Sequence, residues 1–218
     1  IEIRKKAYHM RFITLSGVDG SGKSTQLDLL KEHLLREGHT VSYFHAVDFS
    51  LANKLVRCFK GQKTFEPGQE KAVTRASYIS ILLREKFLLI DILRFRLLLS
   101  RLRKESCDYL ISDRYFYDSI VNIEYLQSVS SQKSAANKKR GFLLFVIGYL
   151  LPAPDLAFYF DIAPEAIMSR DRAPEQGIDY LRTKQSLFNQ KLSEWNMITL
   201  DASRNKETIF KDITNMVS

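Results

Sequence analysis

The chain has little of several features that mark other classes of protein. It contains only two cysteines, Cys58 and Cys107, among 218 residues, which is too few for a disulfide framework. Its longest apolar run covers residues 142–151, whereas a bilayer-spanning helix needs about 20 apolar residues. These absences exclude a disulfide-stapled domain and favour a buried helix over a membrane anchor.

The beginning of the chain also lacks a recognisable leader. Residues 1–6 are basic and no apolar run follows them, so we expect no secretory signal and a reducing, cytoplasmic location. His9 and Met10 stand directly before an apolar segment. We therefore interpret residues 1–10 as a native extension or a cloning remnant, and predict a single domain over residues 11–218.

The charge balance is basic, with a formal net charge of +8. Such a balance favours anionic partners, among which nucleotides are small-molecule candidates. No block of Arg and Lys with interleaved aromatic residues is present, so we expect neither nucleic acid nor a membrane as partner. Most of the basic residues are then expected on the solvated surface.

Strand and helix patterns alternate along the chain, which is typical of a parallel α/β sheet. Strands are predicted at residues 11–16, 41–46, 109–112, 156–161 and 197–200. Helices are predicted at residues 24–37, 49–60, 71–104 (as one helix or two) and 206–216. Two further helices are predicted to begin near residue 117 and at residue 164. A loop is predicted at residues 171–178, followed by a helix that reaches residue 195. Gly38 is expected to cap the first helix. The fold class is thus α/β, a five-stranded parallel sheet with helices on both faces.

A phosphate loop follows the first strand. Residues 17–24 read GVDGSGKS and fit the pattern G-x-x-x-x-G-K-[ST], between a predicted strand and a predicted helix. Backbone N–H groups of such a loop point at phosphates, and the helix N-terminus adds its dipole. Lys23 is expected to neutralise the β- and γ-phosphates, and Ser24 to ligate Mg²⁺. The ATP-binding set predicted here is Gly17, Val18, Asp19, Gly20, Ser21, Gly22, Lys23, Ser24 and Thr25.

Several ordered segments together resemble the thymidylate kinase family of nucleoside monophosphate kinases. They are residues 17–26, Asp113-Arg114-Tyr115, residues 154–165, residues 177–180 and residues 201–203. The resemblance implies a P-loop NTPase fold and transfer of a phosphoryl group from ATP·Mg²⁺ to a nucleoside monophosphate, by default dTMP to dTDP. It also implies a homodimer, and the apolar face of residues 79–99 would suit the contact between the two copies.

The same resemblance implies individual roles on the donor side and at the phosphates. Asp19 would bond the acceptor's sugar hydroxyl, Arg114 would bridge the two phosphates, and Asp113 would hold Mg²⁺ through water or orient Arg114. Because the loop itself carries no further basic residue, arginines of the lid at about 171–178 would stabilise the transferring phosphoryl group. Arg170 and Arg172 precede the lid and Arg182 follows it, and Arg172 is the first choice. Ala202 would lie beside the adenine.

Three departures from the family pattern fall on the acceptor side. His45 stands near the place of an arginine that holds the acceptor phosphate. Arg94 is predicted to bind the acceptor, but Ile90 stands where a base-stacking aromatic residue is usual, so that Phe87 or Phe95 would substitute; another local alignment gives Arg84 that role. Asn122 is the candidate base reader in place of a glutamine. The predicted acceptor set is therefore Asp19, His45, Arg94, Arg114, Tyr115 and Asn122.

These departures leave other functions open. The chain could phosphorylate a different nucleotide, a nucleoside or a phosphorylated metabolite, or it could be a degenerate ATP-binding module with little transfer activity. A GTPase switch is disfavoured, because residues 137–140 read NKKR and lack the aspartate of a guanine-reading motif.

Overall fold

A computed structural model describes residues 10–51, 78–129, 146–170 and 173–217. The expectations for residues 1–9, 52–77, 130–145 and 171–172 lie outside the described part of the chain. The elements are β1 (Arg11–Gly17), α1 (Lys23–Arg36), β2 (Val41–His45), α2 (Ala46–Phe49), α3 (Tyr78–Lys104), β3 (Tyr109–Asp113), α4 (Phe116–Val129), β4 (Leu156–Asp161), α5 (Pro164–Met168), α6 (Ile178–Asn189), β5 (Ile198–Asp201) and α7 (Lys206–Val217).

The strands form one five-stranded sheet in the order β2-β3-β1-β4-β5, and every pair is parallel. The predicted α/β class and five-stranded parallel sheet are confirmed. Because all five strands run the same way, their carboxyl ends meet at one edge. In open α/β sheets this edge, beside the point where the strand order reverses, is where ligands bind.

Helices cover both faces of the sheet. The connection through α1 leads from β1 towards one edge and the connection through α4 leads from β3 towards the other, so right-handed crossovers place these two helices on opposite faces. Phe12 and Ser16 lie on the same face of β1, where the Phe12 ring packs 5.5 Å from Phe95 of α3 and Ser16 bonds Asp118 of α4, so these two helices cover that face. Burial on both sides explains why β1 reads as an almost continuous apolar run.

The first helix ends at a glycine for a local reason. Gly38 has φ +84°, its N–H bonds the Leu35 carbonyl at 3.1 Å, and the N–H of His39 bonds the Leu34 carbonyl at 3.1 Å. This pair of bonds is a Schellman motif, which needs a left-handed residue just after the helix. The predicted cap is confirmed.

One short helix was not expected, and one predicted boundary is wrong. The strand prediction ran to residue 46, but α2 begins at Ala46, whose N–H bonds the Arg114 carbonyl and whose carbonyl accepts the N–H of Ser50. The helix expected over residues 49–60 falls mostly outside the described part of the chain and stays a prediction. The helix expected to reach residue 195 ends at Asn189, and the Lys191 N–H bonds Phe188, which tightens the backbone into turns.

The long helical region is a single helix over its described length, Tyr78–Lys104. It carries many charged side chains between its leucines. In the part of the chain that the structure describes, no helix combines the length and the apolar character required to cross a membrane.

Candidate active site

The phosphate loop leaves the carboxyl end of β1, and two of its glycines are required by space and backbone conformation. Gly17 has φ +144°, and a Cβ there would lie 2.9 Å from the Phe160 carbonyl oxygen. Gly20 has φ +83°, and its Cβ would meet Ile167 at 2.8 Å. Residues with side chains would be strained or would clash at both positions. The loop thus packs tightly against β4 and α5.

Lys23 is the first residue of α1 and its side chain lies against the loop. Its Nζ donates to the carbonyls of Gly17 at 2.9 Å and Val18 at 2.7 Å, and to Ser21 Oγ at 3.2 Å. Burial lowers the pKa of the amine, and the nearby Arg114 charge acts in the same direction. The amine is therefore held at the loop by oxygen atoms that a phosphate could replace.

Ser24 and Asp113 meet across the edge of the sheet. Ser24 Oγ donates to Asp113 Oδ2 at 2.9 Å, and Asp113 is the last residue of β3, the strand next to β1. The other carboxylate oxygen, Oδ1, is buried and has no hydrogen-bond partner among the described residues. A hydroxyl and a carboxylate oxygen are ligands that Mg²⁺ prefers, so the residues present fit this ion.

The same part of the chain holds no self-contained metal cage. Among the described residues, no group of three or more His, Cys, Asp or Glu side chains could hold a metal ion. This is compatible with Mg²⁺, which is usually bound by one or two carboxylates together with the substrate's phosphates.

Arg114 follows Asp113 directly and is fixed by its backbone. It has φ +58°, its N–H bonds the Leu15 carbonyl, and its carbonyl accepts the N–H of Ala46. A left-handed backbone at a non-glycine residue is uncommon and costs free energy unless its surroundings hold it. Here it directs the guanidinium back to the loop, where Nη2 donates to Asp19 Oδ1.

Two residues of α6 complete a cluster around Asp19 that the sequence prediction missed. Tyr180 donates its hydroxyl to Asp19 Oδ2 at 2.8 Å, and Lys184 lies with Nζ 3.0 Å from that hydroxyl and 3.9 Å from the same carboxylate oxygen. Their four-residue spacing places both on one face of α6. The sequence could have indicated from this spacing that the two side chains lie together. It could not indicate that this face of α6 is turned towards the phosphate loop.

The electrostatics of the cluster centre on Asp19. Burial opposes its ionisation, but the Arg114 charge, followed by those of Lys184 and Lys23, prevails and lowers the pKa of the carboxyl. Burial lowers the pKa of Lys184, an effect that Asp19 opposes. Asp19 is thus the anion that holds the surrounding cations together.

A second carboxylate, that of Asp118, lies close to the cluster. Asp118 of α4 is buried and accepts the hydroxyl of Ser16 at 2.6 Å. Burial raises the pKa of Asp118, although Lys23 and Arg114 act against that rise. This residue links α4 to the strand that carries the loop.

Comparison with known proteins accounts for this arrangement. A model of the family described as "Thymidylate kinase" matches residues 15–213, nearly the whole chain. The chain belongs to the thymidylate kinase family. The recognition made from the motifs is therefore confirmed, as is the enzyme class of a nucleoside monophosphate kinase.

Individual relatives match this chain over most of their length. The chain is 24% identical to a probable thymidylate kinase of Methanosphaera stadtmanae over 94% of this chain and 96% of that protein. It is 28% identical to a thymidylate kinase of Rhodopirellula baltica, over 94% and 79% respectively. The crystal structure of the Ehrlichia chaffeensis thymidylate kinase shares the fold, with a TM-score of 0.60 and 17% identity over 96% of this chain and 99% of that one.

In this thymidylate kinase family member, the structure does not bring every predicted acceptor residue to the cluster. Tyr115 is fully buried in the aromatic core, and its hydroxyl bonds the Pro152 carbonyl at 2.6 Å. Arg94 bonds Asp91 at 2.6 Å and lies over the Phe49 ring. The Tyr115 side chain is thus enclosed by the core, and the acceptor contact predicted for it stays a prediction.

His45 and Asn122 stand nearer to the site. His45 ends β2 beside Asp113, and its Nδ1 lies 2.8 Å from Asp48 Oδ2. Asn122 is half-buried one helical turn after Asp118 on α4, and therefore on the same face of that helix. Their roles stay predictions.

Among the remaining residues predicted for the donor side, Arg170 contacts the loop. It donates to the Gly20 carbonyl, whereas Arg182 pairs with Glu165 at 2.6 Å on the surface. Ala202 follows β5, its N–H bonding the Asp161 carbonyl. Thr25 is exposed in the first turn of α1, and Arg172 lies outside the described residues.

Proposed function

We propose that this chain transfers the terminal phosphoryl group of ATP·Mg²⁺ to dTMP, forming dTDP and ADP. The observation that carries the proposal is the Asp19–Arg114 pair. It joins the phosphate loop to the residue that follows β3, directly beside the Ser24–Asp113 contact. Donor-binding and acceptor-binding groups are thereby gathered at one edge of the sheet.

The donor half uses the phosphate loop. Loop N–H groups and the N-terminus of α1 bind the phosphates of ATP, and the Lys23 amine exchanges its carbonyl partners for phosphate oxygens. Ser24 and Asp113 are the residues that would hold Mg²⁺, which when bound neutralises charge on the β- and γ-phosphates. Ala202 and Thr25 line the adenine and phosphate ends of this half.

The acceptor half uses Asp19 and Arg114. Asp19 accepts a hydrogen bond from the acceptor's sugar hydroxyl, and Arg114 holds the acceptor phosphate in line with the γ-phosphate. An oxygen of the acceptor phosphate, mostly dianionic at neutral pH, attacks the γ-phosphorus. The new O–P bond forms as the bond between the γ-phosphorus and the β–γ bridging oxygen breaks, and the electron pair leaves with ADP.

Arginines beside the lid supply the positive charge that the loop lacks. Arg170 contacts the loop through the Gly20 carbonyl, which places its guanidinium beside the segment that binds the phosphates. We retain Arg172 as the first catalytic choice, two residues further on. Both roles follow from the charge that develops on the phosphoryl oxygens during transfer.

We further infer a homodimer of the soluble enzyme in the cytoplasm. Large apolar side chains stand exposed on α3 with helical spacing, at Ile79, Leu83, Ile90, Leu93 and Leu97. An exposed stripe of this kind is stabilised when a second copy covers it. Light scattering should give twice the mass of one chain.

The test is an acceptor panel in which ADP formation is measured with ATP and Mg²⁺. The panel consists of dTMP, dUMP, the other nucleoside monophosphates, thymidine and buffer alone. The proposal expects dTMP to give the highest kcat/KM and buffer to give none. Turnover restricted to other acceptors would reject dTMP, and ATP binding without any acceptor-dependent turnover would reject the kinase assignment.

One observation favours a second candidate, a kinase for a different nucleotide. Asp48 and Asp91 already contact His45 and Arg94, the two further side chains predicted to bind the acceptor. The same panel decides between the two.

A further inference from the structure

Lys184 is a buried cation whose contacts leave hydrogen-bonding capacity unused. The residue is 4% exposed, and its amine donates one hydrogen bond within the described part of the chain, to the Tyr180 hydroxyl at 3.0 Å. The Asp19 carboxylate lies 3.9 Å away, beyond hydrogen-bond distance. An ammonium group has three N–H donors, and a buried charge is costly unless it is paired and hydrogen-bonded. The environment of Lys184 therefore favours a further anion.

A second cation faces the same carboxylate. Arg114 contacts Oδ1 of Asp19 while Lys184 approaches Oδ2, so one carboxylate group separates the guanidinium from the ammonium. Arg114 also has more N–H donors than its one side-chain hydrogen bond to Asp19 uses. Both cations thus lie against one carboxylate group, and both keep N–H donors for a further anion.

The position of this pair indicates which phosphate it would bind. Lys23 lies inside the loop on the carbonyls of Gly17 and Val18, where the donor phosphates belong. The Asp19 side chain points out of the loop towards α6, and Lys184 lies on that outer side. An anion held by Lys184 and Arg114 is therefore outside the donor cradle.

We propose that Lys184 binds the 5′-phosphate of the acceptor nucleotide together with Arg114. This inference rests on the proposed function and identifies a binding residue that the sequence motifs did not indicate. It also supplies a second cation on the acceptor side, where His45 is paired with Asp48 and Arg94 with Asp91. Recognition of a dianionic phosphate by the buried Lys184 and the partly buried Arg114 would make the site select nucleotides over nucleosides.

The alternative is that Lys184 only orients Tyr180, and through it Asp19. In that case the amine would affect the sugar contact of any acceptor, with or without a phosphate. The two roles therefore differ in how the residue treats dTMP and thymidine, which differ only in the phosphate.

The experiment measures the Kd of dTMP and of thymidine by calorimetry for the wild type and Lys184→Met, which keeps the side-chain length without the charge. We expect dTMP to bind roughly 10- to 100-fold more weakly to the variant, as for loss of one charge-assisted hydrogen bond. Thymidine should change less than about twofold, as should both ligands in Lys211→Met, an exposed-lysine control on α7. Equal losses for both ligands, or no loss for either, would overturn the proposal.

A second variant and steady-state kinetics distinguish a lost phosphate contact from a general effect of the substitution on folding. Lys184→Gln retains a donor for Tyr180 and should show the same split between dTMP and thymidine, with a raised KM for dTMP and an unchanged KM for ATP. A wild type that binds no nucleoside monophosphate would reject the proposed function itself. If the wild type phosphorylates a different monophosphate, dTMP is rejected as the acceptor. The binding experiment then uses that nucleotide and its nucleoside in place of dTMP and thymidine.

Discussion

The two halves of the site differ in how the chain builds them. The donor half is built mainly by one continuous segment, residues 17–24, together with Asp113 from the neighbouring strand. The acceptor half gathers Asp19 from the loop, Arg114 after β3 and Tyr180 and Lys184 from α6, across 165 residues of sequence from Asp19 to Lys184. The first is determined by local backbone geometry and the second by tertiary packing, so only the first is readable as a motif.

The two halves of the site also differ in the interactions that hold their side chains in place. In the donor half, glycine conformation and backbone carbonyls hold Lys23 in place. In the acceptor half, the partly buried carboxylate of Asp19 holds two cations, Arg114 and Lys184, so the arrangement depends on the balance of charge among these groups. Substitutions should therefore affect catalysis alone in the donor half, and catalysis together with stability in the acceptor half.

The largest effect is expected from Lys23→Ala. Removal of the amine from the phosphate loop should lower kcat by about 10³-fold, because the charge on the transferring phosphoryl group loses a pre-positioned partner. Thermal unfolding should show a Tm within a few degrees of the wild type. Lys31→Ala, an exposed lysine on the same helix, should behave as the wild type. Full activity in Lys23→Ala would refute the donor assignment.

Arg114→Ala should lower kcat by about 10²-fold while the Kd of ATP changes less than about threefold, because the guanidinium contacts Asp19 and not the loop's phosphate cradle. Steady-state kinetics and ATP titration measure the two quantities. Arg101→Ala, an exposed arginine paired with Glu105, is the control. An unchanged kcat would remove Arg114 from the site.

Asp19→Asn tests the charge balance through stability. Because the pKa of Asp19 is lowered in the folded state, its contribution to stability is fully present above the unfolded pKa, near 3.8, and is lost progressively as the pH falls from there towards the lower folded-state pKa. The variant should lose about 2 kcal/mol of unfolding free energy at pH 7. The difference in unfolding free energy from the wild type should begin to narrow as the pH falls through about 4 and should keep narrowing below it, as chemical denaturation would report. A difference independent of pH would contradict this electrostatic account.

The smallest effect is expected from Tyr115→Phe. The change removes the hydroxyl that bonds the Pro152 carbonyl, so stability should fall by about 1 kcal/mol. The KM for dTMP should not change, since the ring lies in the core. A raised KM with unchanged stability would place Tyr115 in the acceptor pocket and weaken the contrast between the two halves.

Much of the fold could be predicted because local signals carry it. The glycine loop, the Gly38 cap and the apolar strand at residues 156–161 each express a short-range constraint of backbone or burial. The end of α6 could not be read in this way, because residues 190–196 keep a helical composition while Trp195 stacks on Tyr117 of another helix, 4.3 Å away.

The candidate site shows the same limit. Lys23, Ser24, Asp113 and Arg114 were identified by spacing within motifs. Lys184 was missed because a lysine on an amphipathic helix looks like a solvated residue until packing turns it inward. Tyr115 was included because it adjoins Arg114 in sequence, yet the left-handed backbone at Arg114 sends the next side chain into the core.

The most direct test of the account follows the phosphoryl group itself. ATP labelled at the γ-phosphate is incubated with Mg²⁺ and dTMP, and the labelled products are separated. The account predicts labelled dTDP as the main product from the wild type, with little labelled inorganic phosphate and no labelled dTDP from Lys23→Ala. Label found only in inorganic phosphate, at a rate independent of dTMP, would contradict it.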